Sequence, residues 1–371
     1  MTMPEKALLS PAAAPVLTPA QLRLLRGVSR SFYLSIRLLP GPLRGPIAIG
    51  YLLARATDTV ADTTALPHGE RQALLAQLLA AIKTPQAGKA ELIAALTRFA
   101  TQQNDPHERA LMLALPEGLS LLQALSPADQ DSVRWVLGHI TQGQSLDVSR
   151  FGHDCDTPQA LATEAELEDY TWLVAGCVGE FWTTLCARHL PGFATLPTDE
   201  MHTLGRAYGM GLQRLNIVRD AGADLSQGRC YWPAEQLSAL GLSPESLTQA
   251  AHEGQVSTLA QLTPLYRAYL QQIQTQLAAG LRYSCAVQSR RLRLASALPA
   301  LIGARTVALL LQAGPASLTQ RIKMPRREVQ DLLWRLLLRG VSVKALTHEF
   351  ERLSALPSAS GAEHQCENPH P

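Results

Sequence analysis

Apolar residues return at every third or fourth position along most of the chain. Leu74, Leu75, Leu78, Leu79 and Ile82 form one such set, Leu92, Leu96 and Phe99 a second, and Tyr266, Leu270, Ile273 and Leu277 a third. That is the period of an amphipathic helix, and strict alternation bounded by turn residues is hard to find. The pattern predicts an all-α protein. Pro, Gly and Asp interrupt it at 39–46 (LPGPLRGP), 65–70, 104–108, 151–158, 196–200 and 239–244, and these breaks are read as interhelix loops, not domain linkers. A single helical domain over residues 21–350 follows, with Pro/Ser/Ala-rich ends at 1–20 and 351–371 read as disordered.

Composition narrows the functional classes. The 371 residues are 46% hydrophobic and carry Lys+Arg 33 against Asp+Glu 31, a net charge of +2 that argues against a nucleic-acid partner. Electrostatic chemistry must therefore be local. Six cysteines without a C-x-x-C pair suit free thiols in a reducing, cytoplasmic setting, and the N-terminus lacks the basic start and apolar run of a signal peptide. No transmembrane helix is expected, because the nearest candidate, LPALIGARTVALLLQAG, is broken by Arg305. Peripheral contact with a membrane stays open: 332–346, LLWRLLLRGVSVKAL, sets Leu clusters and Trp334 beside Arg335, Arg339 and Lys344, the pattern of an interfacial helix or of an ordinary amphipathic core helix. Oligomeric state is not legible.

Within YLLARATDTVADT (51–63), an apolar helical run ends in Asp58 and Asp62, four residues apart and hence on one helix face. Like charges at that spacing repel unless a cation lies between them. Either the pair is a solvated edge with an ion pair to Arg55, or it binds a hard divalent cation such as Mg²⁺, which is commonly held by one or two carboxylates together with substrate phosphates. The arrangement recurs in GMGLQRLNIVRDAGADLSQGRCYWP (209–233): Asp220 and Asp224 stand four apart, with Gln213, Asn216 and Arg219 close to the same face. Two acid pairs, each with an arginine beside it, suit a diphosphate clamped by metal and guanidinium. Between them, Gly176 and Gly179 in DYTWLVAGCVGEFW (169–182) signal close approach by another helix or by a slender apolar ligand. Tyr170, just upstream, is either a satisfied core phenol or a proton relay.

SRSFYLSIRLLP (29–40), YLLARATDTVADT (51–63), YTWLVAGCVGE (170–180) and LQRLNIVRDAGADLSQGRCYWP (212–233) resemble, in order and spacing, the signature blocks of the squalene and phytoene synthase family. The forms SRSF and ARATDTVAD and the basic stretch RIKMPRREV (321–329) are most similar to the squalene synthase branch. The resemblance implies an isoprenoid-synthase-type helical bundle around a central cavity, with Asp58, Asp62, Asp220 and Asp224 as two facing Mg²⁺-binding pairs. It implies Arg55, Arg219, Gln213 and Asn216 as the wall around the diphosphates, and Ser29, Arg30, Ser31 and Phe32 as a flap over substrate. Tyr51 matches a substrate-side tyrosine, Val174 and Gly209 tunnel lining, and Tyr170 the tyrosine of the acid/base steps. Asn216, Lys323 and Arg326 are the residues it offers for NADPH, although no G-x-G-x-x-G fingerprint is present. Ala223 and Ala61 stand where many relatives carry an acid.

The implied reaction joins two farnesyl diphosphates head to head to presqualene diphosphate and reduces that with NADPH to squalene, in a site that must exclude water. A dehydrosqualene or phytoene synthase would share every aspartate and lack the hydride step, the basic stretch being the lever between them. A helical terpene cyclase fits the block order poorly. A non-catalytic helical scaffold would have lost the aspartates, and all four are present.

Overall fold

The structure is a computed structural model that describes residues 17–29, 32–84, 88–151 and 157–355. The all-α expectation holds, and the chain divides into two compact units, Met1–Ser145 and Leu146–Pro371. The helices α1 (Pro19–Ser29) and α17 (Val343–Ser354) overlap the ends read as disordered, since Leu25 and Leu353 are buried. The remainder of those ends, 1–16 and 356–371, lies outside the described residues.

The first unit contains α1, α2 (Phe32–Leu38), α3 (Gly41–Asp62), α4 (His68–Lys83), α5 (Lys89–Gln102), α6 (Pro106–Gln123) and most of α7 (Pro127–Phe151). The break expected at 39–46 is mostly helix. Pro42 falls in the first turn, where the missing N–H has no partner to lose, and α3 begins at Gly41. Asp105 caps α6 by accepting from the His107 N–H at 2.7 Å, with Pro106 next. α3 packs on α4 and α6, burying Leu52, Leu53, Ala56 and Val60 on one side. Each such Leu contributes about 2 kcal/mol on leaving water. The same spacing leaves Asp58 half-buried and Asp62 exposed at the helix end.

The second unit is built on α10 (Thr198–Ser226). Ahead of it come β1 (Gln159–Ala160), α8 (Glu164–Thr171), a π-helical segment (Trp172–Gly176) and α9 (Cys177–His189). After it come β2 (Arg229–Cys230), α11 (Ala234–Ala239), α12 (Pro244–Glu253), α13 (Val256–Gln261), α14 (Thr263–Ala286), α15 (Arg290–Ala313), a 3-10 turn (Gly314–Thr319), α16 (Arg326–Arg339) and α17. β1 and β2 form a two-residue parallel pair, the only named strands among the described residues.

α10 packs against α9, α14 and the π segment. A Cβ at Gly179 would lie 1.9 Å from the Gly205 carbonyl oxygen, so α9 and α10 touch backbone to backbone. Of the two readings of the Gly176–Gly179 stretch, the structure gives Gly179 the neighbouring helix. Arg214 of α10, 1% exposed, pairs with Glu164 at 3.2 Å, and the Tyr269 and Gln236 side chains donate to the same carboxyl group.

α15 with the following turn, Arg290–Thr319, is long and apolar enough to cross a membrane by length and composition. In the fold it is a core helix: Leu292, Leu301 and Leu310 are fully buried, and Arg305 makes a two-pronged pair with Glu328 of α16 at 2.6 and 3.0 Å. The described cysteines are free thiols.

Gly179→Ala should destabilise the protein by about 1–3 kcal/mol, because the added methyl overlaps a carbonyl that cannot rotate away. A thermal or denaturant melt unchanged from wild type would show that α9 and α10 can part at no cost.

Candidate functional site

In the first unit, Asp58 and Asp62 project from the last turn and a half of α3. Arg55 forms an ion pair with Asp58 and, through its second terminal nitrogen, with Glu108 of α6 at 2.6 Å. One guanidinium is thus shared between carboxylates of two helices. Partial burial raises the Asp58 pKa and the charge of Asp62 raises it further; Arg55 pulls against both and does not cancel them. A carboxylate held above its ordinary pKa beside a like charge one turn away suits a hard cation.

Beside it lies a cavity of about 750 Å³ lined by Arg23, Arg26, Ser29, Arg55, His107 and Glu108. Ser29 is buried and donates its hydroxyl to the Leu25 carbonyl. Tyr51 donates to the Val28 carbonyl at 3.4 Å, tying α3 to α1. Arg30, Ser31 and the Phe32 side chain lie outside the described residues.

In the second unit, Asp220 meets a different environment. Arg219 holds both its oxygens, Nε at 3.0 Å and Nη2 at 2.5 Å, and Arg321 adds Nε at 2.8 Å. Burial raises the Asp220 pKa, but the two guanidinium groups together outweigh it and hold the carboxyl below its ordinary value. Asp224 is half-buried one turn on, with Gln213 and Asn216 half-buried on the same helix. Arg321 was not singled out in the sequence, although it opens the basic stretch RIKMPRREV. What brings it in is Gly222, where a Cβ would lie 1.9 Å from the Leu318 carbonyl oxygen. The missing side chain lets the 3-10 turn lie against α10 between the two aspartates. Lys323 and Arg326 are exposed on the chain that follows. A cavity of about 770 Å³ opens here, lined by Arg219, Asp220, Ser226, Glu245, His252 and Arg321 among others.

Tyr170 is buried, and its hydroxyl donates to Asp147 Oδ2 at 2.7 Å; the Tyr231 hydroxyl donates to the same oxygen, also at 2.7 Å. The two rings stack with centroids 5.2 Å apart. Burial, and next the Asp147 charge, push the Tyr170 phenol well above its ordinary pKa, so it keeps its proton. Asp147 and Tyr231 were missed in the sequence. Tyr231 follows β2, whose pairing with β1 sets it beside α8.

Two residues assigned to tunnel lining have packing roles. A Cβ at Gly209 would stand 2.2 Å from the Ala175 carbonyl oxygen, so this position is filled by a helix backbone, and Val174 packs against the core of the unit.

Among the described residues no group of three or more His, Cys, Asp and Glu is arranged to hold a metal. A cation at Asp58 and Asp62 would draw its remaining ligands from water or from substrate oxygens, the usual habit of Mg²⁺. At Asp220 the donor oxygens are already engaged by arginine, so a cation and Arg219 and Arg321 compete for one carboxylate.

The family model described as squalene/phytoene synthase matches residues 25–328. The chain belongs to that family, whose members are prenyltransferases. A squalene synthase from Yarrowia lipolytica is 29% identical over 213 residues, 57% of this chain and 44% of that protein. A bifunctional lycopene cyclase/phytoene synthase from Pyrenophora tritici-repentis is 28% identical over 238 residues, 63% of this chain and 37% of that protein. The chain thus spans less than half the length of these curated relatives. Among solved structures, TcSQS in complex with the ligand BPH1237 superposes with a TM-score of 0.71 at 20% identity, covering 92% of this chain and 93% of that one. A dehydrosqualene synthase gives 0.51 at 21% identity, over 85% and 95%. The helical isoprenoid-synthase fold is therefore shared.

Two arginines converging on one acid form an anion-binding arrangement. Arg321→Ala should weaken binding of Mg²⁺–pyrophosphate by about tenfold or more, measured by calorimetry, since a charge-assisted hydrogen bond is worth roughly 1.5–3 kcal/mol. Gly222→Ala should weaken it in the same direction with every charge intact, whereas Gly138→Ala, where an added Cβ meets nothing within 4 Å, should not. Equal binding by all three would show that Arg321 has no part in anion capture.

Proposed function

We propose that the protein is a squalene synthase: it condenses two farnesyl diphosphates head to head to presqualene diphosphate, with Mg²⁺, and reduces that intermediate to squalene with NADPH. The observation that carries the reading is the Arg321–Asp220 ion pair, because it ties the basic stretch resembling the reducing branch to the second aspartate pair. Asp58, Asp62, Asp220 and Asp224 would hold the metal, which when bound supplies positive charge to a departing diphosphate. NADPH, when bound, supplies the hydride, with Asn216, Lys323 and Arg326 as its contacts.

The chain's own residues perform the remaining tasks. Arg55, Arg219 and Arg321 attract and orient diphosphate oxygens. Gln213 adds a neutral donor on the same helix as Arg219, and Ser29, Arg30, Ser31, Phe32 and Tyr51 belong to the substrate side at the start of the first unit. Tyr170 holds its proton on the phenol oxygen, directed at Asp147 Oδ2. A proton lost from substrate on cyclopropane closure would be taken at the Tyr170 oxygen as the phenol passes its own to Asp147.

A dehydrosqualene or phytoene synthase is the second reading, favoured by the phytoene synthase among the relatives. Incubation with farnesyl diphosphate and Mg²⁺, with and without NADPH, followed by mass spectrometry of the extract, separates the two. Squalene should form only with NADPH, and Asp58→Ala or Asp220→Ala should lower it by about a hundredfold or more. Dehydrosqualene regardless of NADPH would move the protein to the non-reducing branch. No product from farnesyl or geranylgeranyl diphosphate would overturn both readings.

A further inference from the structure

The helix α16 is apolar on two opposite sides. Leu332 (0% exposed) and Leu336 (4%) dock it on the core of the second unit, and Glu328 fixes it to Arg305 of α15. Among the described residues its other side has no such cover: Trp334 is 62% exposed, Leu337 72% and Leu338 81%, with Leu333 at 42% on the flank. Four large apolar side chains within six residues, all pointing away from the core, exceed the scatter of single exposed leucines usual on a soluble surface.

The rim of this patch is basic. Arg326 and Arg327 lie exposed at the start of the helix, Arg335 stands half-buried beside Trp334, and Lys344 is exposed early in α17. Asp331 is the one acid on the exposed side. Indole and leucine at the centre with guanidinium groups around them match the two parts of an anionic bilayer surface, acyl chains beneath and phosphate above. Two other occupants fit less well. A second copy meeting the same patch across a two-fold axis would bring like charges together. Residues 356–371 supply Leu356 as their only large aliphatic side chain, too little to cover the patch.

We infer that α16 docks the protein on anionic membrane surfaces, with Trp334, Leu337 and Leu338 entering the interfacial layer and Arg327, Arg335 and Lys344 engaging lipid phosphates. The inference stands whatever reaction the protein catalyses.

The test is flotation of the purified full-length protein with vesicles of phosphatidylcholine plus phosphatidylglycerol, and with vesicles of phosphatidylcholine alone. Binding should favour the anionic vesicles and weaken as salt rises, because surface attraction is screened. Leu337→Glu/Leu338→Glu should lower binding by at least about tenfold. Arg327→Gln/Arg335→Gln should lower it by about twenty-fivefold on anionic vesicles, from roughly fivefold per charge, with little effect on neutral ones. The four positions are exposed or half-buried, so thermal melts matching wild type confirm that the variants are folded. Absence of flotation with either vesicle overturns the inference, as does flotation undiminished in the leucine variant. It is equally overturned if sedimentation velocity shows a dimer that Leu338→Glu dissolves while lipid binding is unchanged.

Discussion

Backbone-to-backbone contact along α10 is the constraint on which the second unit depends. At Gly205 the neighbour is Gly179 of α9; at Gly209 it is the π segment; at Gly222 it is the 3-10 turn. At these crossings there is no side chain to yield, so the flanking elements are fixed relative to α10 more tightly than leucine packing alone could fix them. The chemistry inherits that precision. Arg321 reaches Asp220 because the turn before it lies directly on the helix, and Tyr170 keeps its place because the segment after it is pinned.

The two aspartate pairs share a spacing and differ in electrostatics. On α3 Arg55 divides itself between Asp58 and Glu108, and Asp58 is held above its ordinary pKa. On α10 Asp220 has two guanidinium groups. The first pair resembles a receptor for a cation. The second resembles a latch, in which arginines that now lie on a carboxylate are free to exchange it for a stronger anion.

Much of this was legible in the sequence because it is local. An i, i+4 aspartate pair at the end of an apolar helix defines a face without knowledge of anything else in the fold, and Gly176 and Gly179 announced a close approach. What was not legible is set by long-range packing. Asp147 sits on α7 in an unremarked SLDVS run, and its partnership with Tyr170 and Tyr231 depends on how α7, α8 and β2 converge. Arg321 stood inside a stretch already singled out, but which of its cations meets the aspartate is decided by Gly222 and Leu318. Gly209 is open in another way: a residue without a side chain suits a tunnel wall and a helix crossing equally, and the structure shows a crossing against Ala175. The division into two units has no counterpart in composition, since the boundary falls inside a continuous helix.

The π segment at Trp172–Gly176 has a consequence for how this chain can vary. A π turn holds about one residue more than an α turn, so the segment acts as a spacer between the phenol at 170 and the glycine at 179. A deletion within it can be absorbed as the π turn closes to an α turn, which leaves the flanking helices near their present register, whereas the same deletion in a regular turn would rotate everything on one side by about 100° relative to the other. Tyr170 would then leave Asp147, or Gly179 would leave Gly205. The π segment is thus a point between residues 170 and 179 where the chain can shorten by a residue without losing both contacts.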